Sequence, residues 1–142
     1  MLNELLSPDR ILLDAPAATL EEATLLCGQL LVDTGCAEPG YPAAMVETVR
    51  ELGSFIVMAP FTALPHAAPE QGGIRPAAAL LRLKGEIPTE SKNGPVRLIL
   101  GFCGSDGNSH MQVLSQIAAE LSRPGCIEAL LQADCADAIL SI

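Results

Sequence analysis

The sequence predicts an α/β protein, a three-layer α/β/α arrangement around a mixed central sheet of about five strands. Two observations carry this. Helical and strand patterns interleave along the chain, as they do when a sheet is covered by helices. The chain has 142 residues, 49% apolar and 18% charged, which is one domain's length with enough apolar surface for a core.

In chain order, residues 1–10 read as a short leader, and Ile11-Leu12-Leu13-Asp14 as a first strand. Thr19 and Glu22 form a capping box that opens a helix over 20–33. Its apolar stripe is Leu20, Ala23, Leu26, Cys27, Leu30 and Leu31, and Gly35 follows as a stop. Pro42 suits the first turn of a second helix with Met45, Val46, Val49 and Leu52 inward and Gly53 at its end. Arg50 lies near that C-terminus, where a cation suits the dipole. Phe55-Ile56-Val57-Met58 is short and β-rich, and reads as a strand.

Prolines 60, 65, 69 and 76 then break regular structure around one extended piece, Thr62-Ala63-Leu64. Strands are expected over 77–83 and 96–102, the second of them central. Asn108 or Ser109 caps a third helix with Val113, Leu114, Ile117, Ala118 and Leu121 buried. Pro124-Gly125 opens a fourth helix to about residue 133, and Asp134 caps a short fifth over 135–140.

Charge excludes several functions. The net charge is −9, from 8 basic against 17 acidic residues, with no basic cluster. That argues against nucleic acid and against an anionic membrane surface. No apolar run reaches the roughly 18 residues that span a bilayer. The opening Met1-Leu2-Asn3-Glu4-Leu5 lacks a basic segment and a long apolar run, so the expectation is a cytoplasmic protein. Five cysteines, an odd number with no C-x-x-C pair, read as reduced thiols. The expectation is no cofactor. No metal is expected either, because two isolated histidines make a poor zinc site without an H-E-x-x-H. Glu21, Glu22, Glu47 and Glu51 read as solvated helix faces, and Cys103 as a buried thiol.

The two histidines stand in unusual settings. His66 follows a proline at an apolar strand end, Ala63-Leu64-Pro65-His66-Ala67. Imidazole is the side chain best suited to nucleophilic attack or proton transfer near neutral pH. A histidine so placed fits equally well as a partly buried residue bonded to backbone. His110 follows a strand and a glycine-bearing loop, Gly101 to Ser109, at the start of a helix. A helix N-terminus suits a phosphoryl group, although the glycine spacing matches neither a P-loop nor a dinucleotide fingerprint. An ordinary strand–helix connection explains that loop as well.

With these segments quoted, the chain resembles the EIIA domain of the phosphoenolpyruvate-dependent sugar phosphotransferase system, mannitol–fructose class. Ala63-Leu64-Pro65-His66-Ala67 looks like that family's phosphorylation motif. Asn108-Ser109-His110-Met111-Gln112-Val113-Leu114 is similar to its second-histidine segment. Arg50, sixteen positions before His66, matches mannitol-type members. The stretches Gly53 to Pro60 and Pro69 to Gly73 look most like the ascorbate-type subgroup. The chain departs at Phe61, where many members have glycine, and in keeping Arg50, which the ascorbate type lacks.

The resemblance covers essentially residues 1–142 as one domain, and it implies a phosphotransferase relay. His66 accepts a phosphoryl group from HPr and passes it to a cysteine of a cognate EIIB, during uptake of a sugar such as ascorbate or a polyol. His110, Arg50 and helix-end N–H groups stabilise the transfer. The surface around His66 is expected to be apolar, with Phe61, Leu64 and Ala67 as candidates, and the acidic net charge suits a basic rim on HPr. A regulatory EIIA-like module controlled by His66 phosphorylation, and a binding domain without turnover, carry the same motifs. The sugar, the EIIB partner and the oligomeric state, a homodimer included, stay open.

Overall fold

The computed structural model describes residues 2–142. Its regular elements are β1 (Ile11–Ala15), α1 (Leu20–Asp33), α2 (Tyr41–Leu52), β2 (Thr62–Ala63), β3 (Ala77–Ile87), β4 (Val96–Cys103), α3 (Gly107–Leu121), α4 (Cys126–Gln132) and α5 (Ala136–Leu140). The sheet has four strands in the order β1-β3-β4-β2, with β1 parallel to β3, β3 antiparallel to β4 and β2 parallel to β4.

The sheet is buried on both faces, and side-chain alternation divides it between two cores. Ala77, Ala79, Leu81, Leu83, Ile99 and Cys103 face α1 and α2, where Cys27, Leu31, Tyr41, Met45 and Val49 meet them. Ala78, Leu80, Leu98, Leu100 and Phe102 face α3, α4 and α5, against Val113, Ile117, Leu130 and Ile139. This is the expected α/β/α layering.

The strand count is four rather than about five, because Phe55–Met58 is not a strand. Gly53–Ile56 is a 3-10 helix instead. Ile56 and Val57 are both buried while Phe55 is 86% exposed. The Val57 N–H turns back to the Ser54 carbonyl at 3.2 Å and closes the 3-10 turn, so the run does not extend into a sheet edge. The edge beside β4 is taken by β2, in the register Thr62 with Leu98 and Ala63 with Ile99.

The leader is also structured. Leu2, Leu5 and Leu6 enter the second core, and the buried Arg10 donates to the carbonyls of Ala78 and Leu5. On α1 the inward face uses Ala23, Thr24, Cys27, Gly28 and Leu31, whereas Leu26 lies outside it; on α2, Leu52 does too. The cap of α3 is Asp106, not Asn108 or Ser109: its carboxylate accepts the Ser109 N–H at 2.8 Å, and the Ser109 hydroxyl accepts the Asp106 N–H at 3.1 Å. The fifth helix is capped by Cys135 rather than Asp134.

Candidate active site

β2 and β4 run parallel, so their C-terminal ends emerge on the same side. His66 follows β2 and His110 follows β4, which brings the two histidines together. Their ring centroids are 5.4 Å apart, edge to face. The Phe102 ring lies against both, stacked on His66 at 4.8 Å and tilted to His110 at 5.1 Å. Both imidazoles are half-buried.

The His66 segment is held by hydrogen bonds. Pro65 has no N–H, yet its carbonyl accepts from Phe102 N–H at 3.2 Å, continuing the β2–β4 association by one step. Leu64 N–H donates to Ile56 at 3.0 Å. The His66 Nδ1 lies 2.8 Å from the Leu64 carbonyl oxygen. A carbonyl can only accept, so Nδ1 carries the proton, and in the neutral ring Nε2 holds a free lone pair. The next residue, Ala67, is tied to the hydroxyl of Tyr41 at 3.1 Å.

The His110 segment is held by close approach. A Cβ on Gly104 would stand 2.6 Å from the backbone N and Cα of His110, and one on Gly73 would collide with the Gly104 carbonyl. The loop after His66 and the loop after β4 can therefore touch only as glycine backbones. The His110 Nδ1 is buried and has no hydrogen-bond partner among the described residues. Burial, followed by the neighbouring His66, lowers the His110 pKa, and Glu70 on the 69–71 turn opposes this.

Arg50 is not drawn into this cluster. Its guanidinium donates to Glu47 at 2.6 Å on the exposed side of α2, and among the described residues it contacts neither imidazole. Leu64 and Ala67 are core residues, 2% and 0% exposed, rather than surface. Phe61 is 39% exposed and Met111, beside His110, 56%. Phe61 has φ +60°, in the left-handed region that favours glycine, and its carbonyl accepts from the N–H groups of Arg97 and Leu98. No group of three or more metal-ligating side chains occurs among the described residues.

Sequence reasoning missed three contributors. Phe102 was visible only as a strand residue, although its position one step from the strand end marked it. Tyr41 carried no local signal. Glu70 sat in a turn whose place against His110 depends on the fold.

The family model of the phosphoenolpyruvate-dependent sugar phosphotransferase system, EIIA 2, matches residues 4–142. An ascorbate-specific PTS system EIIA component of Escherichia coli K12 is 34% identical over 104 residues, covering 72% of this chain and 68% of that protein. The crystal structure of IIA mannitol from Escherichia coli superposes with a TM-score of 0.83 at 25% identity, over 96% of each chain. The complex of enzyme IIA mannitol with phosphorylated enzyme IIB mannitol from Escherichia coli matches with a TM-score of 0.78 at 25% identity, covering 96% of this chain and 94% of that one.

The chain is thus a phosphotransferase of the EIIA type. It belongs to the phosphoenolpyruvate-dependent sugar phosphotransferase system EIIA 2 family, and its similarities run to both ascorbate-specific and mannitol EIIA proteins.

Proposed function

We propose that residues 1–142 act as one phosphocarrier domain that accepts a phosphoryl group on His66 from phosphorylated HPr and delivers it to a cysteine of a cognate EIIB in the cytoplasm. The observation that carries this reading is the Nδ1–H···O=C bond from His66 to Leu64, with the His110 ring alongside. The pinned ring aims its lone pair at one atom, Nε2. As the donor's P–N bond breaks, a P–Nε2 bond forms; the transfer to EIIB reverses this, with an S–P bond made in its turn.

Little covalent work falls to the protein in such a transfer; positioning and charge stabilisation dominate. His110 supplies a donor. A proton on its buried Nδ1 would have no acceptor, so the neutral ring carries its proton on Nε2 and donates from there to a phosphoryl oxygen. Arg50 reaches the same oxygens only by releasing Glu47. The complex of a mannitol EIIA with phosphorylated EIIB supports an EIIB acceptor. The ascorbate-specific relatives support ascorbate as the sugar. Exposed Phe61 and Met111 offer apolar contacts for both partners.

The test is incubation with phosphoenolpyruvate, enzyme I and HPr, followed by intact mass. We expect one acid-labile, base-stable phosphoryl group on His66 and none in His66→Ala. No gain with HPr itself phosphorylated, or retained labelling in His66→Ala, overturns the assignment.

A further inference from the structure

We propose that Tyr41 is a positioning residue for phosphoryl transfer, holding the His66 segment against β4 through its hydroxyl; this rests on His66 being the acceptor. Tyr41 is the chain's one tyrosine and is 0% exposed, in the first turn of α2. Its oxygen lies 3.1 Å from the Ala67 N–H, 3.1 Å from the Ala67 carbonyl and 2.9 Å from the Phe102 carbonyl. It therefore accepts from the residue after His66 and donates to the residue whose ring stacks on His66.

Among the described residues no other side chain hydrogen-bonds to both Ala67 and Phe102. The sheet-like association of the His66 segment with β4 reaches the Phe102 N–H to Pro65 bond and stops there. Beyond it, the hydroxyl sets the distance between the backbone that carries the nucleophile and the ring that supports it. Burial pushes the Tyr41 pKa upward, so the O–H stays a donor throughout the working pH range. The role is distinct from filling space, because phenylalanine fills the same volume. Losing the hydroxyl leaves the buried Ala67 N–H without its partner, and the segment relaxes away from Phe102.

Tyr41→Phe tests this with two readouts that a merely structural role would not move. The first is the kcat and KM of phosphoryl acceptance: we expect kcat to fall about 10- to 100-fold, the penalty of a small misplacement, with KM for the phosphorylated donor unchanged because Tyr41 touches no partner surface. The second is the imidazole ¹⁵N spectrum of the unphosphorylated protein, in which His66 should lose its single Nδ1–H tautomer. Leu31→Ala, a truncation in the same core, controls for general loosening and should leave both readouts in place. Unchanged kcat and unchanged His66 ¹⁵N shifts in Tyr41→Phe overturn the proposal, whatever its melting temperature does.

A variant that fails to fold does not end the test. Growth on 3-fluorotyrosine labels Tyr41 alone. The single ¹⁹F line of the otherwise wild-type protein should shift in His66→Gln, which removes the ring stacked on Phe102; a line blind to that substitution overturns the proposal. The ¹⁵N and ¹⁹F readouts need no phosphoryl group, so the two failures are distinguishable. A wild type that does not label overturns the phosphocarrier reading and the transfer role of Tyr41 with it, whereas a wild type that labels with both readouts unmoved overturns the Tyr41 role alone.

Discussion

The two histidine segments are held by different physics. Residues 64–67 are held by directional bonds: Leu64 N–H to Ile56, Pro65 carbonyl to Phe102, His66 Nδ1 to Leu64, and Ala67 to Tyr41. Residues 104–110 are held by volume and a cap, with Gly104 wedged against His110 and Asp106 closing the first turn of α3. The His66 ring has one nitrogen committed to backbone. The His110 ring has a buried nitrogen committed to nothing. Under the proposed relay the difference separates two jobs. A nucleophile must point one lone pair along one line, whereas a charge stabiliser must keep its donor available to whatever oxygen arrives.

The largest test of that division removes each ring in turn. His66→Ala should abolish phosphoryl acceptance with the fold retained, since a half-buried ring contributes little core volume. His110→Ala should still label at His66 but more slowly, by about 100- to 1000-fold, as when one oxyanion donor is lost. Single-turnover mass spectrometry separates abolished from slowed; equal effects would collapse the division of roles.

Gly104→Ala tests the second segment through its packing. The atoms a Cβ would meet are the His110 backbone, which cannot swing aside. We expect a loss of about 1–3 kcal/mol in chemical denaturation, the usual cost of overpacking, with slowed acceptance because α3 is displaced. A wild-type denaturation midpoint would show that the loop yields.

Acid sharpens the comparison further. The unfolded histidine begins to protonate near its ordinary pKa of about 6.5, while folded His110 stays neutral to lower pH because burial disfavours its charge. The unfolded state then binds more protons, so stability falls as pH drops below that value and is unaffected above it. Asp106 acts in a separate window: its bonds to Ser109 lower its pKa, so its contribution fades only below the ordinary carboxylate range. Urea melts between pH 7.5 and 5 should slope for wild type and more gently for His110→Gln. Identical slopes would show that His110 is not disfavoured as a cation.

Much of this was readable beforehand, and the exceptions have physical causes. Helix α1 fell where its capping box and 3.6-residue stripe put it, because those signals are local. The histidine pair came through the family resemblance, since each setting taken alone fitted an ordinary histidine as well. The reading failed at 55–58, where β-rich composition said strand but the chain leaving Gly53 closes a 3-10 turn through the Val57 N–H to Ser54 carbonyl bond. It failed again at Leu64 and Ala67, whose inward direction is set by the parallel pairing of β2 with β4. Tyr41 could not have been found, since its hydroxyl acts on residues 26 and 61 positions away.

Phe61 offers a smaller effect on the His66 segment. A bulky residue at φ +60° is strained by roughly 1–2 kcal/mol, while glycine adds about 0.4–1 kcal/mol of unfolded-chain entropy. Phe61→Gly should therefore stabilise by about 1 kcal/mol or less, and weaken partner docking because an exposed apolar ring is gone. Thermal melts and the KM for HPr read the two separately; a loss of stability would mean that the ring's packing outweighs its backbone strain.

The smallest expected change in stability lies at Arg50, and it asks whether a third group joins the two histidines. The Arg50–Glu47 pair is exposed on both sides, so breaking it with Arg50→Ala should alter stability by no more than about 0.5 kcal/mol. Rate is the informative axis. If Arg50 leaves Glu47 to meet the incoming phosphoryl group, Glu47→Gln removes the competitor and should speed acceptance, whereas Arg50→Ala should slow it. Opposite signs from two adjacent exposed residues would extend the site onto the end of α2. Wild-type rates in both variants would confine it to the ends of β2 and β4, where His110 lies beside His66.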